Sequence, residues 1–190
     1  MSRAYRIRVQ ESLRRRIAAD DAVCTQLELL EVLPPEQMAD LLRDELQRRG
    51  FEDKNGRLIR ASGDGLTASI DPKTGEVSVR ARASEQLELA GQREGIAYDE
   101  IGPNRKNVEK ALGQRLRQDL EEQAEHEQSK LQTKATERLA AALGDLEKEL
   151  SGVVNRVTAQ ALKQKAAQIG QIKEMTEDPE TGSLTIKVEV

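Results

Sequence analysis

Histidine, cysteine and aromatic side chains are nearly missing from these 190 residues: one histidine, one cysteine, one phenylalanine, two tyrosines and no tryptophan. A lone cysteine, Cys24, excludes an intrachain disulfide framework and suits a reducing compartment. His126 and Cys24 are too few for a ligand cluster, so no metal and no cofactor is expected. Cysteine–histidine catalysis would need these two side chains to meet, and nothing in their surroundings suggests that they do. Cys24 lies in an apolar, strand-like run and reads as a small buried thiol. Neither a phosphate-cradling loop nor a G-x-G-x-x-G fingerprint occurs, and Gly63-Asp64-Gly65 reads as a turn. No catalytic constellation is left, so the chain is not expected to be an enzyme.

Long apolar runs are lacking too. None approaches the roughly 20 residues that span a bilayer, and Arg3, Arg6 and Arg8 lead straight into a strand rather than a signal peptide. The expected location is the cytoplasm. With so few aromatics, any core must be aliphatic and thin, as in helix-rich or elongated proteins. Charged residues make up 34% of the chain, yet they nearly cancel to a formal charge of −4. That balance speaks of solubility and not of a polyanionic partner.

What the sequence does have is one long polar segment with aliphatic residues at helical intervals, from Asn104 to about Ile172. Pro103 ends the preceding strand and Asn104 can cap the first free amides. Val108, Leu112, Leu116, Leu120 and Ala124 recur every fourth residue, a step that winds around the helix. Leu139, Leu143, Leu146, Leu150, Val153 and Val157 instead alternate steps of four and three, the heptad interval of a coiled-coil seam. These six form the candidate interface, expected to bring together copies of the chain. The polar run Glu125 to Lys130, Gly144 and Ser151-Gly152 are candidate breaks. One unbroken helix would extend about 100 Å at about 1.5 Å per residue, whereas a helical hairpin would cover the seam internally.

Elsewhere the periods are those of strands. Tyr5, Ile7 and Val9 alternate with Arg6, Arg8 and Gln10, and Val23 to Leu30 reads as a second strand. Arg14-Arg15-Arg16 between them reads as a solvated loop or face rather than a phosphate-binding patch. Pro34-Pro35-Glu36-Gln37 opens a short helix with Met38, Leu41, Leu42 and Leu46 on its apolar face, closed by Gly50 and Phe51. Short strands follow at Leu58-Ile59, Leu66 to Ile70, Val77 to Ala81 and Leu87 to Leu89. Asp71-Pro72-Lys73-Thr74-Gly75 recurs as Asp178-Pro179-Glu180-Thr181-Gly182, each time a hairpin connection between strand-like runs. A last pair, Ile172 to Met175 and Leu184 to Val190, makes a C-terminal hairpin that should dock on the body or on a partner chain.

The fold class expected is therefore α+β: a small antiparallel-sheet body with one short helix, and a long helical segment inserted before a C-terminal β-hairpin. The expected division is 1–101 for the body, 102–171 for the helical or coiled-coil segment and 172–190 for the hairpin. Two stretches carry a resemblance: Cys24-Thr25-Gln26-Leu27-Glu28-Leu29-Leu30-Glu31-Val32-Leu33-Pro34-Pro35, and Gln171 to Met175 through Gly182 to Ile186. With these the chain resembles the small accessory proteins of bacterial ternary systems built around an AAA-type ATPase of the FtsH class. The resemblance implies a non-catalytic partner encoded beside an ATPase, in a system proposed to act in conflict or stress, and it transfers no functional residue. The function expected is an adaptor or scaffold that self-associates through the helical segment and presents the α+β body to a protein partner, the AAA ATPase system being one candidate. The alternative is a nucleic-acid-binding accessory protein using Arg14 to Arg16 or the basic helix start at Arg105, Lys106, Lys110, Arg115 and Arg117. Glu109, Asp119, Glu121 and Glu122 interleave with that basic group and favour helical ion pairs instead.

Overall fold

A computed structural model of the chain describes residues 4–98, 104–177 and 184–189. The fold class is α+β, as expected. In chain order the elements are β1 (Ala4–Gln26), α1 (Pro35–Arg48), β2 (Glu52–Lys54), β3 (Arg57–Ala61), β4 (Leu66–Ile70), β5 (Glu76–Tyr98), α2 (Arg105–Ile169), β6 (Gln171–Glu177) and β7 (Leu184–Glu189). An antiparallel five-stranded sheet has the order β1-β5-β4-β3-β2, and β6 with β7 makes a separate two-stranded sheet.

The local chemistry sets the element ends. Pro35 sits in the first turn of α1, where a missing amide costs nothing. At the other end Gly50 has φ +85°, the Gly50 amide donates to Gln47 O, and the Phe51 amide donates to Leu46 O at 3.1 Å. That is the paired closure expected for a left-handed glycine after a helix. The β4–β5 connection closes likewise. Gly75 has φ +74°, Asp71 N–H donates to Glu76 O, and the Asp71 carboxylate accepts from the Lys73 amide at 2.9 Å. The second Asp-Pro-x-Thr-Gly stretch lies outside the described residues, as do Gly102 and Pro103. Asn104 does cap α2: its side-chain oxygen accepts from the Asn107 amide at 2.9 Å.

α2 is one continuous helix of 65 residues. The polar run at Glu125–Lys130, Gly144 and Ser151-Gly152 all lie inside it, so the hairpin alternative does not occur. An isolated glycine weakens a helix by only about 1 kcal/mol, and no proline is present to force a break.

Two strand expectations are corrected. β1 runs unbroken through Arg14-Arg15-Arg16, so of the solvated loop or face expected the triplet is a strand face and not a loop. Its alternation persists, with Arg15 on the covered face beside Ile17 and with Arg14 and Arg16 on the exposed one. β5 likewise continues through Leu87, Leu89, Gly91 and Gly95 as one strand of 23 residues. Cys24 is the third correction: it is exposed, because the stretch Ala22–Gln26 lies beyond the covered part of β1.

The chain forms two compact units. The first comprises residues 1–20 and 82–135. Here β1 and β5 make a two-stranded antiparallel ribbon, cross-linked on its exposed face by Arg8–Glu94 and Arg14–Glu88. The covered face meets α2 through Leu116, Leu120 and Ala124, all buried. Gly91 and Gly95 allow this approach: a methyl group at either position would come within 2.9 Å of a leucine side chain of α2. Arg117–Glu11 and Arg15–Glu121 frame the contact. Ile17, Ala19, Leu131 and Ala135 form a small apolar cluster of their own.

The second unit comprises residues 21–81 and 136–190. Its core joins α1 (Met38, Leu42, Leu46) to the sheet (Leu58, Ile70, Val77) and to α2 (Leu139, Val153, Val157). Inter-strand registers here are regular, with Leu58 opposite Ile70 and Ile70 opposite Val77. The β6–β7 hairpin pairs Ile172 with Val188 and Met175 with Ile186, with a bulge between Ile172 and Glu174.

Candidate functional site

The six residues of the heptad seam all belong to the second unit. Leu139, Leu146, Leu150, Val153 and Val157 are buried, the last two completely, and Leu143 is half-buried against the same core. The seam was expected to need another chain to cover it. Instead α1 and the sheet cover it, so these side chains are core rather than a free coiled-coil face. The physical reason is that Met38, Leu42 and Leu46 of the short helix and Leu58, Ile70 and Val77 of the sheet together present an apolar surface to it, and burying aliphatic area within one chain carries no association entropy.

α1 and β3 are fixed on α2 by charge as well as by packing. Arg60 on β3 donates twice to the Glu149 carboxylate, at 2.8 and 2.7 Å, and its guanidinium lies 4.4 Å from the centre of the Phe51 ring. The fork geometry of such a pair fixes orientation as well as distance. That hydrogen bond holds the Glu149 carboxyl below the usual carboxylate range, against a smaller opposing effect of burial. Beside it, Arg49 donates to Glu45 at 3.0 Å and to the backbone carbonyl of Glu149 at 3.3 Å. Glu45 is almost fully buried, with Arg48 and Arg156 each 3.7 Å from its carboxylate. Gly152 leaves room for the Arg49 guanidinium, 3.5 Å from where a methyl group would stand. These charges serve packing, since they pair with one another inside the unit.

One face of the seam remains open. A groove of about 680 Å³ lies between α2 and the strands β1 and β5. Leu143, Leu146, Leu150 and Val154 form its helical wall, Val77 and Val79 its floor, and Val23 and Leu27 its strand wall. Thr25, Gln26, Ser151 and Asn155 make a polar rim, on which Glu28 and Glu147 are the charged residues. Thus three of the six seam residues reach open space while the remainder do not. The continuation of β1 past Gln26 shapes this wall: the Leu27 amide donates to Gly75 O at 2.8 Å.

The other candidates do not assemble into a site. Cys24 is exposed on β1, and His126 is exposed on α2 in the other unit. Arg14 and Arg16 engage Glu88 and Ser84 on one face of the ribbon, while Arg15 engages Glu121 on the other. Among the described residues, no group of three or more histidine, cysteine or acidic residues is placed to hold a metal ion, and no helix is long and apolar enough to cross a membrane.

A model of one protein family, FtsH ternary system domain X5, matches residues 1–190. The chain belongs to that family. The family's name makes it a component of an FtsH-linked ternary system, in agreement with the resemblance carried by the Cys24–Pro35 and Gln171–Ile186 stretches. Comparison with curated proteins and with solved structures gave no match. The groove itself could not be read from sequence. Its only signal was Val154, a half-buried residue beside the seam that falls outside a strict two-per-heptad stripe.

Proposed function

We propose that the chain is a non-catalytic adaptor of an FtsH-class ATPase system, acting in the cytoplasm by holding a protein partner against its α+β portion. The observation that carries this reading is the family match over the whole of residues 1–190. The way the charged side chains are used supports it. Arg60, Glu149, Arg49 and Glu45 are consumed in fixing α1 and β3 to α2, which is the behaviour of a scaffold. Self-association through the six-residue seam would require that core to open, so contact with a different protein is the better-supported form of the adaptor reading.

The nucleic-acid alternative finds less support. The arginine triplet is divided between two faces of the ribbon, and each member has a polar side-chain partner. A continuous basic stripe with stacking aromatics is what such binding would need.

The test is co-expression of the tagged chain with the FtsH-class ATPase encoded in its own system, followed by size-exclusion chromatography in detergent. The adaptor reading expects the two to elute together. Separate elution, with the chain binding a labelled DNA or RNA oligonucleotide in a salt-dependent way, would replace it with the alternative.

A further inference from the structure

The groove beside α2 has a composition that selects an occupant. We propose that it receives an extended, basic segment of a partner protein, whose alternate aliphatic side chains enter between α2 and the sheet. This inference rests on the adaptor reading and names the chemistry of the contact.

Size argues first. The helical wall runs from Leu143 to Asn155, about 18 Å at about 1.5 Å per residue. An extended segment covers the same distance with about five or six residues at about 3.3 Å each, and its alternate side chains point one way. Position argues next. β1 is the terminal strand of the five-stranded sheet, with β5 its only strand neighbour among the described residues. Its residues Val23, Thr25 and Gln26 line the groove, so an added segment gains backbone pairing on the free edge together with side-chain burial.

Charge then distinguishes partners. Glu28 and Glu147, both exposed, are the charged groups lining the groove, and no lysine or arginine lines it. A segment carrying lysine or arginine at its solvent-facing positions meets complementary potential. A second copy offering its own Val23–Glu28 edge would bring Glu28 against these acids, and like charge disfavours that pairing.

The probe is a fluorescein-labelled peptide alternating lysine with valine and isoleucine, added to the full-length chain and followed by fluorescence anisotropy. Saturable binding is expected, weakening with salt and falling at least tenfold in Glu28→Lys/Glu147→Lys. Val154→Trp, which fills the groove without changing charge, should reduce binding by a similar factor. Glu125→Lys/Glu137→Lys, an equal charge change on exposed helix positions away from the groove, should leave binding unaltered. A peptide with glutamate in place of lysine should not bind. The proposal is overturned if both peptides bind alike, if neither binds, or if the groove variants bind as the parent does. Light scattering supplies the remaining outcome. A dimer that Val154→Trp dissociates would assign the groove to a second copy and also overturn the proposal. A chain that ignores the peptide yet co-elutes with its ATPase refutes the groove and leaves the adaptor reading standing.

Discussion

Single residues make opposite predictions according to where the backbone holds them. Gly75 is left-handed, and a methyl group there would meet the Leu27 carbonyl oxygen at 2.8 Å. Gly75→Ala should therefore cost at least about 1–2 kcal/mol, read as a lowered urea midpoint. Gly144 lies in mid-helix with open space around it. Gly144→Ala should stabilise by about 0.5–1 kcal/mol in the same measurement. The seam residues divide in a similar way. Leu146→Glu buries a carboxylate in the core and should cost several kcal/mol. Leu143→Glu, half-buried at the groove, should cost about 1 kcal/mol and spare the fold. For Glu149, the depressed carboxyl pKa fixes the sign of the pH dependence. Its contribution is complete above the unfolded value of about 4.3 and is lost as pH falls through the lower folded value. Glu149→Gln should cost about 1–3 kcal/mol at neutral pH, the range for a hydrogen bond to a charged group. Its deficit should shrink in acid urea titrations, and an equal deficit at every pH would count against the Arg60 contact as its source.

At the scale of elements, continuity is the property that matters most. α2 passes through Glu125–Lys130 without a break, so Gln128→Pro should remove a backbone hydrogen bond and cost about 3 kcal/mol, with loss of helical circular dichroism. A chain tolerating that substitution with unchanged helicity would argue for a turn at this point. Elements whose ends are set by local chemistry could be read from sequence: Pro35 and Gly50-Phe51 around α1, Gly75 in the β4–β5 turn, and the Asn104 cap of α2. The two strands of 23 residues could not. Arg14-Arg15-Arg16 and Gly91 resemble loop chemistry, and only the helix opposite makes them strand: Glu121 accepts from Arg15, and Leu116 needs the space that Gly91 leaves. The same limit applied to the seam. Its heptad spacing says that a partner surface exists, but periodicity is silent on whether that surface belongs to the same chain. Here it is α1.

For the whole molecule, the two units use the same elements differently. In 1–20 and 82–135, α2 covers a ribbon whose exposed face is tied by arginine–carboxylate pairs. In 21–81 and 136–190, α2 helps to build a core and leaves an acidic-rimmed groove beside it. Family membership could be read from sequence because it draws on whole stretches; the groove could not, because it is made by residues far apart in the chain, Val23 to Glu28 and Leu143 to Asn155. The most direct test of the adaptor claim is a calorimetric titration of the purified chain into the purified FtsH-class ATPase of its system. The account predicts a saturable heat with a defined stoichiometry, retained in Gly144→Ala and lost in Leu143→Glu. No heat from a folded chain would contradict it, whereas an equal heat from Leu143→Glu would refute the groove alone.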